Sequence, residues 1–348
     1  MVEIPEQLRY FKNYGGHFGG MGPRPKEKIS SFPGHPLWDW GTFPERDEQL
    51  SDHKVASWAI EQLAGSRDQP FFLGAGFVTP HVPQYAPQKW MDLFPLDEVQ
   101  LPKTIPNDLD DLSDYAVALT RREHVAPTHE WVTENDQWKP LVQTYLACTT
   151  FTDHQVGRLL DALEKSGRAE NTIVVLFTDH GFHLGEKDRW AKRSLWQDGA
   201  GTPLIIAGPG IAKGAVCDQP VELIDLYPTL LDLSGLDPDP AHEGDSLRPL
   251  LENPQTADWP HLARSSYGPG NVALISNAHR YIRYADGSEE LYDRHADPHE
   301  WTNLASDPKF TSRLVKFREA LPDRAHPVLG KNSTGHKAYE AAKPFIKK

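Results

Sequence analysis

The sequence predicts an α/β fold in which hydrophobic strands alternate with helices as far as Pro254, followed by a small antiparallel α+β region. Three observations carry this. Ile173 to Phe177 is an unbroken apolar run closed by Asp179, His180 and Gly181, as expected of a strand covered on both faces of a parallel sheet. Upstream, Leu141, Tyr145, Leu146, Val156, Leu159, Leu160 and Leu163 keep helical spacing between Trp138 and Ser166. After Pro254 the text SSYGPGNVALISNAHRYIRYADGSEELYD, residues 265–293, breaks into short strands at Gly-Pro-Gly, Asn-Ala-His and Asp-Gly, the mark of an antiparallel meander.

The other elements follow in order. The first fifty residues, with YGGHFGGMGPRP and FPGHPLWDWGTFP, are dense in Gly, Pro and aromatics and predict irregular, turn-rich chain. Ser51-Asp52 can cap a helix running to Leu63-Ala64 and stopped by Gly65, and PFFLGAGF at 70–77 reads as a short strand. A long segment with Pro80, Pro83, Pro87 and Pro95 comes next, then the acidic stretch DLDDLSDY; a connection of this length is expected to carry function. Gly167 stops the helix from Trp138, TPLIIAGPGI at 202–211 is a second strand, and Asp225 with Pro228 leads a helix that ends at Gly235. These signals place a large α/β domain at residues 1–254 and a small subdomain at 255–348, whose Lys-rich end reads as a solvated tail.

Composition narrows the function. The 348 residues are 39 % hydrophobic and 24 % charged, enough for a sizeable core. Lys plus Arg total 36 against 49 Asp plus Glu, a net charge of −13, which speaks against nucleic acid or an anionic membrane as partner and makes any anion site local. No run has the length of a membrane-spanning helix, and MVEIPEQLRYF lacks the regions of a signal peptide. Cys148 and Cys217 offer neither a disulfide framework nor a metal-binding spacing.

Ligands of open α/β sheets bind at the carboxyl ends of strands, where Asp179 and His180 fall. The alternative is that Asp179 caps a turn and His180 lies on the surface. Ten Trp and eleven Tyr can line a sugar cleft, though such residues are more often core.

Asp179-His180-Gly181, Leu184-Gly185-Glu186 and Trp190-Ala191-Lys192 together resemble the metal-and-sulfate motif of the sulfatases, most closely those similar to iduronate-2-sulfatase, within the alkaline-phosphatase-like superfamily. GFVTPHVPQYAP, TTFTDHQVGRLLDALEKSG, DLYPTLLDLSG, GDSLRPLL and RYIRYADGSEELYDRHADPHEWTNLA agree in order, so the resemblance spans nearly the whole chain. It implies an alkaline-phosphatase-like mixed sheet flanked by helices. It also implies hydrolysis of sulfate monoesters on a sulfated small molecule or carbohydrate. Asp179 and His180 would ligate one divalent cation, calcium in this subfamily, although imidazole suits zinc or manganese better. Lys192 and His81 would contact the sulfate as catalytic and substrate-binding groups. Lys187, Arg189 and His183 are weaker candidates, expected at the rim or as supporting groups behind the contacting residues. Members of the family are often exported.

The chain departs from the family in two places. Sulfatases carry two adjacent metal-binding aspartates on an early strand, and a Cys or Ser followed by x-Pro-x-Arg that becomes the formylglycine nucleophile. Neither is recognisable: Cys148 lies in the predicted helix, Cys217 has no following arginine, and Asp110-Asp111 follows no apolar strand. The expectation is an N-terminally shortened sulfatase, without formylglycine and inactive by itself. The alternatives are a phosphoester or phosphonate hydrolase of the same superfamily and a non-catalytic anion- or carbohydrate-binding homologue.

Overall fold

The computed structural model describes residues 22–120, 126–255 and 259–323. In chain order the elements are β1 (Trp40–Thr42), α1 (Ser51–Ala64), β2 (Gln84–Ala86), α2 (Gln88–Met91), α3 (Asp114–Thr120), α4 (His129–Glu134), α5 (Trp138–Lys165) and β3 (Val174–Phe177). Then follow β4 (His183–Leu184), β5 (Trp190–Ala191), α6 (Gln197–Ala200), β6 (Leu204–Ala207), α7 (Leu226–Leu233), α8 (Arg248–Glu252), β7 (Ala263–Ser266), β8 (Val272–Ile275), β9 (His279–Arg283), β10 (Glu289–Asp293) and α9 (Thr311–Glu319). The chain divides into two compact units, Met1–Lys103 with Arg122–Thr172, and Thr104–Arg121 with Ile173–Lys348.

In the first unit α1 packs along α5. Val55, Ala56, Ala59 and Leu63 of α1 are buried at helical spacing, as are Leu141, Cys148 and Phe151 of α5. Cys148 is therefore a core residue, as its place in a helix predicts, and burial pushes its thiol well above the usual range. The guanidinium of Arg168 donates to the carbonyls of Leu63 and Gly65 at 2.8 and 2.9 Å, closing the end of α1. β1 and β2 form a parallel pair beside α5.

In the second unit the meander is a four-stranded antiparallel sheet, ordered β10-β9-β8-β7. Its alternation feeds two cores, because successive side chains leave a strand on opposite faces. Ala273, Ile275, Ile282 and Tyr292 pack with Tyr115 and Leu119 of α3 and with Leu195 and Trp196. Val272, Leu274, Tyr281 and Leu291 pack with Leu314 and Phe317 of α9.

Several expectations are corrected. The strand at 173–177 pairs antiparallel with β6, in the register Val174↔Ala207 to Phe177↔Leu204, and not in a parallel sheet. Nor is it covered on both faces, since Phe177 is 48 % exposed and Ile205 opposite 57 %. Burial of a strand is conferred by neighbours on each face, and a two-strand ladder has few. PFFLGAGF forms no strand, for no described segment pairs with it and Phe72 is 86 % exposed. Asp52 does not cap α1; its carboxylate accepts from the backbone N–H groups of Val78 and Thr79 at 3.0 and 2.8 Å. The Lys-rich tail lies outside the described residues.

Candidate functional site

β3 ends at Phe177, and Asp179 stands just past it with its side chain 83 % exposed. The imidazole of His180 lies beside it, Nε2 to Oδ2 at 3.3 Å, while His180 Nδ1 meets the Gly181 carbonyl at 2.7 Å. A carbonyl only accepts, so Nδ1 carries the proton, and in the neutral ring the lone pair is left on Nε2, facing the carboxylate. A lone pair and a carboxylate oxygen at 3.3 Å repel each other unless a cation or proton lies between them, and this donor pair fits a dication. Gly181 is required here: a Cβ would stand 2.1 Å from the Asp198 carbonyl oxygen and 2.7 Å from that of Gly201.

The segment after Gly181 is a small hairpin, with His183 opposite Ala191 and Leu184 opposite Trp190. Of the seven non-glycine residues with positive φ among the described residues, four fall in its tip and exit: Lys187, Asp188, Ala191 and Arg193. Each such conformation costs of order 1–3 kcal/mol and persists only where the surroundings impose it. Lys192 sits between two of them. It is half-buried; burial lowers the pKa of its ammonium, and the negative charge of Asp179 acts in the opposite direction. Asp179, His180 and Lys192 therefore share one electrostatic neighbourhood.

Buried charge holds the hairpin. The ammonium of Lys187 donates to Asp108 Oδ1 at 2.6 Å and to the Glu300 carbonyl, over the rings of Tyr292 and Trp196 at 5.6 and 5.9 Å. Glu300 pairs with Arg280 at 2.6 Å and accepts from the backbone N–H of Gln197 at 2.8 Å. Glu290 accepts from Trp196 Nε1 and the Tyr292 hydroxyl at 2.8 and 2.9 Å, and burial pushes its carboxyl up to about 7. Lys187, Arg189 and His183 are all buried, which sets aside a place on the rim and leaves the supporting role that was the other expectation for them. Asp108, Arg280, Glu290 and Glu300 were not singled out from sequence; charged residues within apolar text such as RYIRY and EELYD were the available signal.

A second cluster adjoins the hairpin. His183, Glu186 and Asp198 each offer a ligand atom within 4.8 Å of the others. His183 Nε2 meets Ser194 Oγ at 2.7 Å, and Glu186 Oε2 accepts from the Leu184 N–H at 2.6 Å.

His81 belongs to the first unit. The peptides before Pro80 and Pro83 are both cis. Its segment is held by Asp52 at Val78 and Thr79, by Thr152 Oγ1 donating to the Thr79 carbonyl at 3.0 Å, and by Gln84 Nε2 donating to the Pro80 carbonyl at 3.2 Å. His81 Nδ1 lies 2.5 Å from the Val82 carbonyl oxygen. Asp110 and Asp111 are exposed, as a solvated acidic stretch predicts, and Asp111 accepts from the Asn303 N–H at 2.7 Å.

Known proteins show the same pattern. The family model described as Sulfatase matches residues 7–236, and the one described as N-sulphoglucosamine sulphohydrolase, C-terminal, matches 185–326. A sulfatase of Formosa agariphila is 41 % identical over 324 residues, covering 90 % of this chain and 63 % of that protein. A choline-sulfatase of Rhizobium meliloti is 32 % identical over 281 residues, covering 76 % and 53 %. The chain thus spans between about half and two thirds of the length of these relatives. A solved protein in complex with its substrate D-glucosamine-2-N,6-O-disulfate superposes with TM-score 0.65 at 21 % identity, over 86 % of this chain and 72 % of that one. A phosphonate monoester hydrolase from Silicibacter pomeroyi gives 0.66 at 23 %, over 92 % and 68 %. At such identities the structures establish the fold, an α/β architecture shared with these hydrolases and carrying a C-terminal antiparallel sheet. With a family model across most of its length and a relative at 41 % identity, the chain belongs to the sulfatase family.

Proposed function

We propose that this chain carries the metal and sulfate-oxygen part of a sulfuric ester hydrolase acting on a sulfated sugar. The single observation that supports this most is the strained, clamped hairpin that brings Lys192 into the field of Asp179 at the end of β3. Asp179 and His180 would hold one dication, calcium by resemblance, and such an ion neutralises and orients sulfate oxygens. Lys192 supplies a point charge to oxygens that gain charge as the S–O bond breaks. His81 is assigned a sulfate contact by resemblance alone. The sugar substrate is argued from relatives: solved neighbours include the D-glucosamine-2-N,6-O-disulfate complex and a protein described as a 2-O GAG sulfatase. The likeness to iduronate-2-sulfatase and the domain boundary between 254 and 255 rest on the sequence patterns. The phosphonate monoester hydrolase among the neighbours keeps a phosphonate or phosphoester as the second reading.

The chain has no recognisable Cys/Ser-x-Pro-x-Arg segment, so the test is binding. Calorimetry with calcium and a sulfated glucosamine should show cation-dependent sulfate binding. Asp179→Asn should abolish the cation dependence. Lys192→Ala should weaken the sulfate by about tenfold, the loss of one charge-assisted contact worth roughly 1.5–3 kcal/mol, with thermal stability unchanged. Sulfate affinity of Lys192→Ala equal to that of the parent would overturn the assignment, whereas turnover of a sulfate ester by the chain alone would overturn the expectation that it is inactive by itself.

A further inference from the structure

We propose that His183, Glu186 and Asp198 form a second cation site, separate from the Asp179–His180 pair, that takes a borderline first-row dication such as zinc or manganese. One imidazole nitrogen and two carboxylates make a mixed N/O set, which suits those ions better than calcium, whose ligands are oxygens. Their ligand atoms lie within 4.8 Å of one another. Donors about 2.1 Å from a common ion stand at most about 4.2 Å apart, so a small rotation of the two acidic side chains closes the site.

The independent observation is His183 itself. Its side chain has no solvent exposure, its Nε2 is taken by Ser194 Oγ, and its buried Nδ1 has no partner. A buried polar atom left unsatisfied costs roughly 1–3 kcal/mol, and in a family member built on metal chemistry that cost calls for a reason. In the tautomer in which Nε2 donates to Ser194 Oγ, the Nδ1 lone pair is left open as a ligand. Gly199 leaves room for the pair: a Cβ there would stand 2.2 Å from Ser194 Oγ and 2.9 Å from His183 Nε2.

Glu186 and Asp198 bring two carboxylates to the same imidazole. Of the basic groups nearby, Lys187 is paired with Asp108 and Arg280 with Glu300. Asp198 is exposed, which leaves an entry path and space for water ligands.

The experiment titrates zinc, manganese and calcium into the chain carrying Asp179→Asn and His180→Asn, which removes the other cation pair, and reads calorimetry together with anomalous diffraction at the zinc edge. The expected result is one zinc per chain between His183, Glu186 and Asp198, bound at least about tenfold tighter than calcium. Adding Asp198→Asn, an exposed and isosteric change, should weaken zinc by at least about tenfold; His183→Gln should do the same if its circular dichroism shows a folded protein. Zinc binding that is absent from the double variant, or indifferent to Asp198→Asn, would overturn the second site and leave the Asp179–His180 reading intact. Loss of calcium-dependent sulfate binding in the parent would have the opposite meaning.

Discussion

Val272–Ile275 and Val174–Phe177 are both four-residue apolar strands, and they end in opposite surroundings. Every residue of the first is buried, between α3 on one face and α9 on the other. The second has one partner strand and leaves Leu176 and Phe177 exposed. Apolar text states what a strand can bury, whereas the layers around it decide what is buried. The residues of the proposed site follow the second pattern: Asp179 and His180 stand at the exposed end of the thin ladder, and the hairpin bearing Lys192 is tied back to the thick sheet through Lys187, Glu300 and Glu290.

That contrast can be broken most severely at Lys187. Lys187→Met leaves Asp108 buried without a counter-charge, and urea unfolding should show a loss of about 3–5 kcal/mol. Pairing it with Asp108→Leu should restore much of that loss; a single variant as stable as the parent would mean that the clamp does not hold the hairpin. Next in size is the thick sheet. Ile282→Ala opens a fully buried site and should cost about 2–5 kcal/mol in the same measurement.

Glu290 sharpens the comparison through pH. Its folded carboxyl is raised from 4.5 to about 7, with burial the main cause. The folded state thus binds the proton more tightly than the unfolded chain. This contribution is fully present below the unfolded value and is lost as pH rises through about 7. Glu290→Gln keeps an acceptor for Trp196 and Tyr292 and should flatten the stability slope across that interval, a change of about 3 kcal/mol. An unaltered slope would place the titrating group elsewhere. The smallest effect belongs to the thin ladder: Phe177→Ala should cost roughly 1 kcal/mol or less, because half of the ring is already in water. A loss matching that of Ile282→Ala would show that the ladder is covered in solution.

Much of this was legible in the linear text. The helix from Trp138, the helix closed by Gly65, the strand ending at Asp179 and the meander after Pro254 all rest on period and punctuation, and those are local properties. The strand read at 70–77 fails for a reason that no local rule contains, since a strand exists only through its partner. Asp52 looked like a helix cap because such residues usually are; in the fold its carboxylate serves two N–H groups of the segment before His81.

By itself, then, the sequence determined the helix from Trp138, the strand at 173–177 and the meander after Pro254, the family through its ordered motifs, and the Asp-His pair at a strand end, because periodicity and short motifs are written within a few residues. The tertiary structure alone decided which charges are buried. Lys187, Asp108, Arg280, Glu290 and Glu300 come from distant segments, and each is tolerable out of water only beside the others. A pairing of that kind across up to about two hundred residues leaves no spacing to read, and so the clamp beneath Lys192 could be recognised only once the chain was folded.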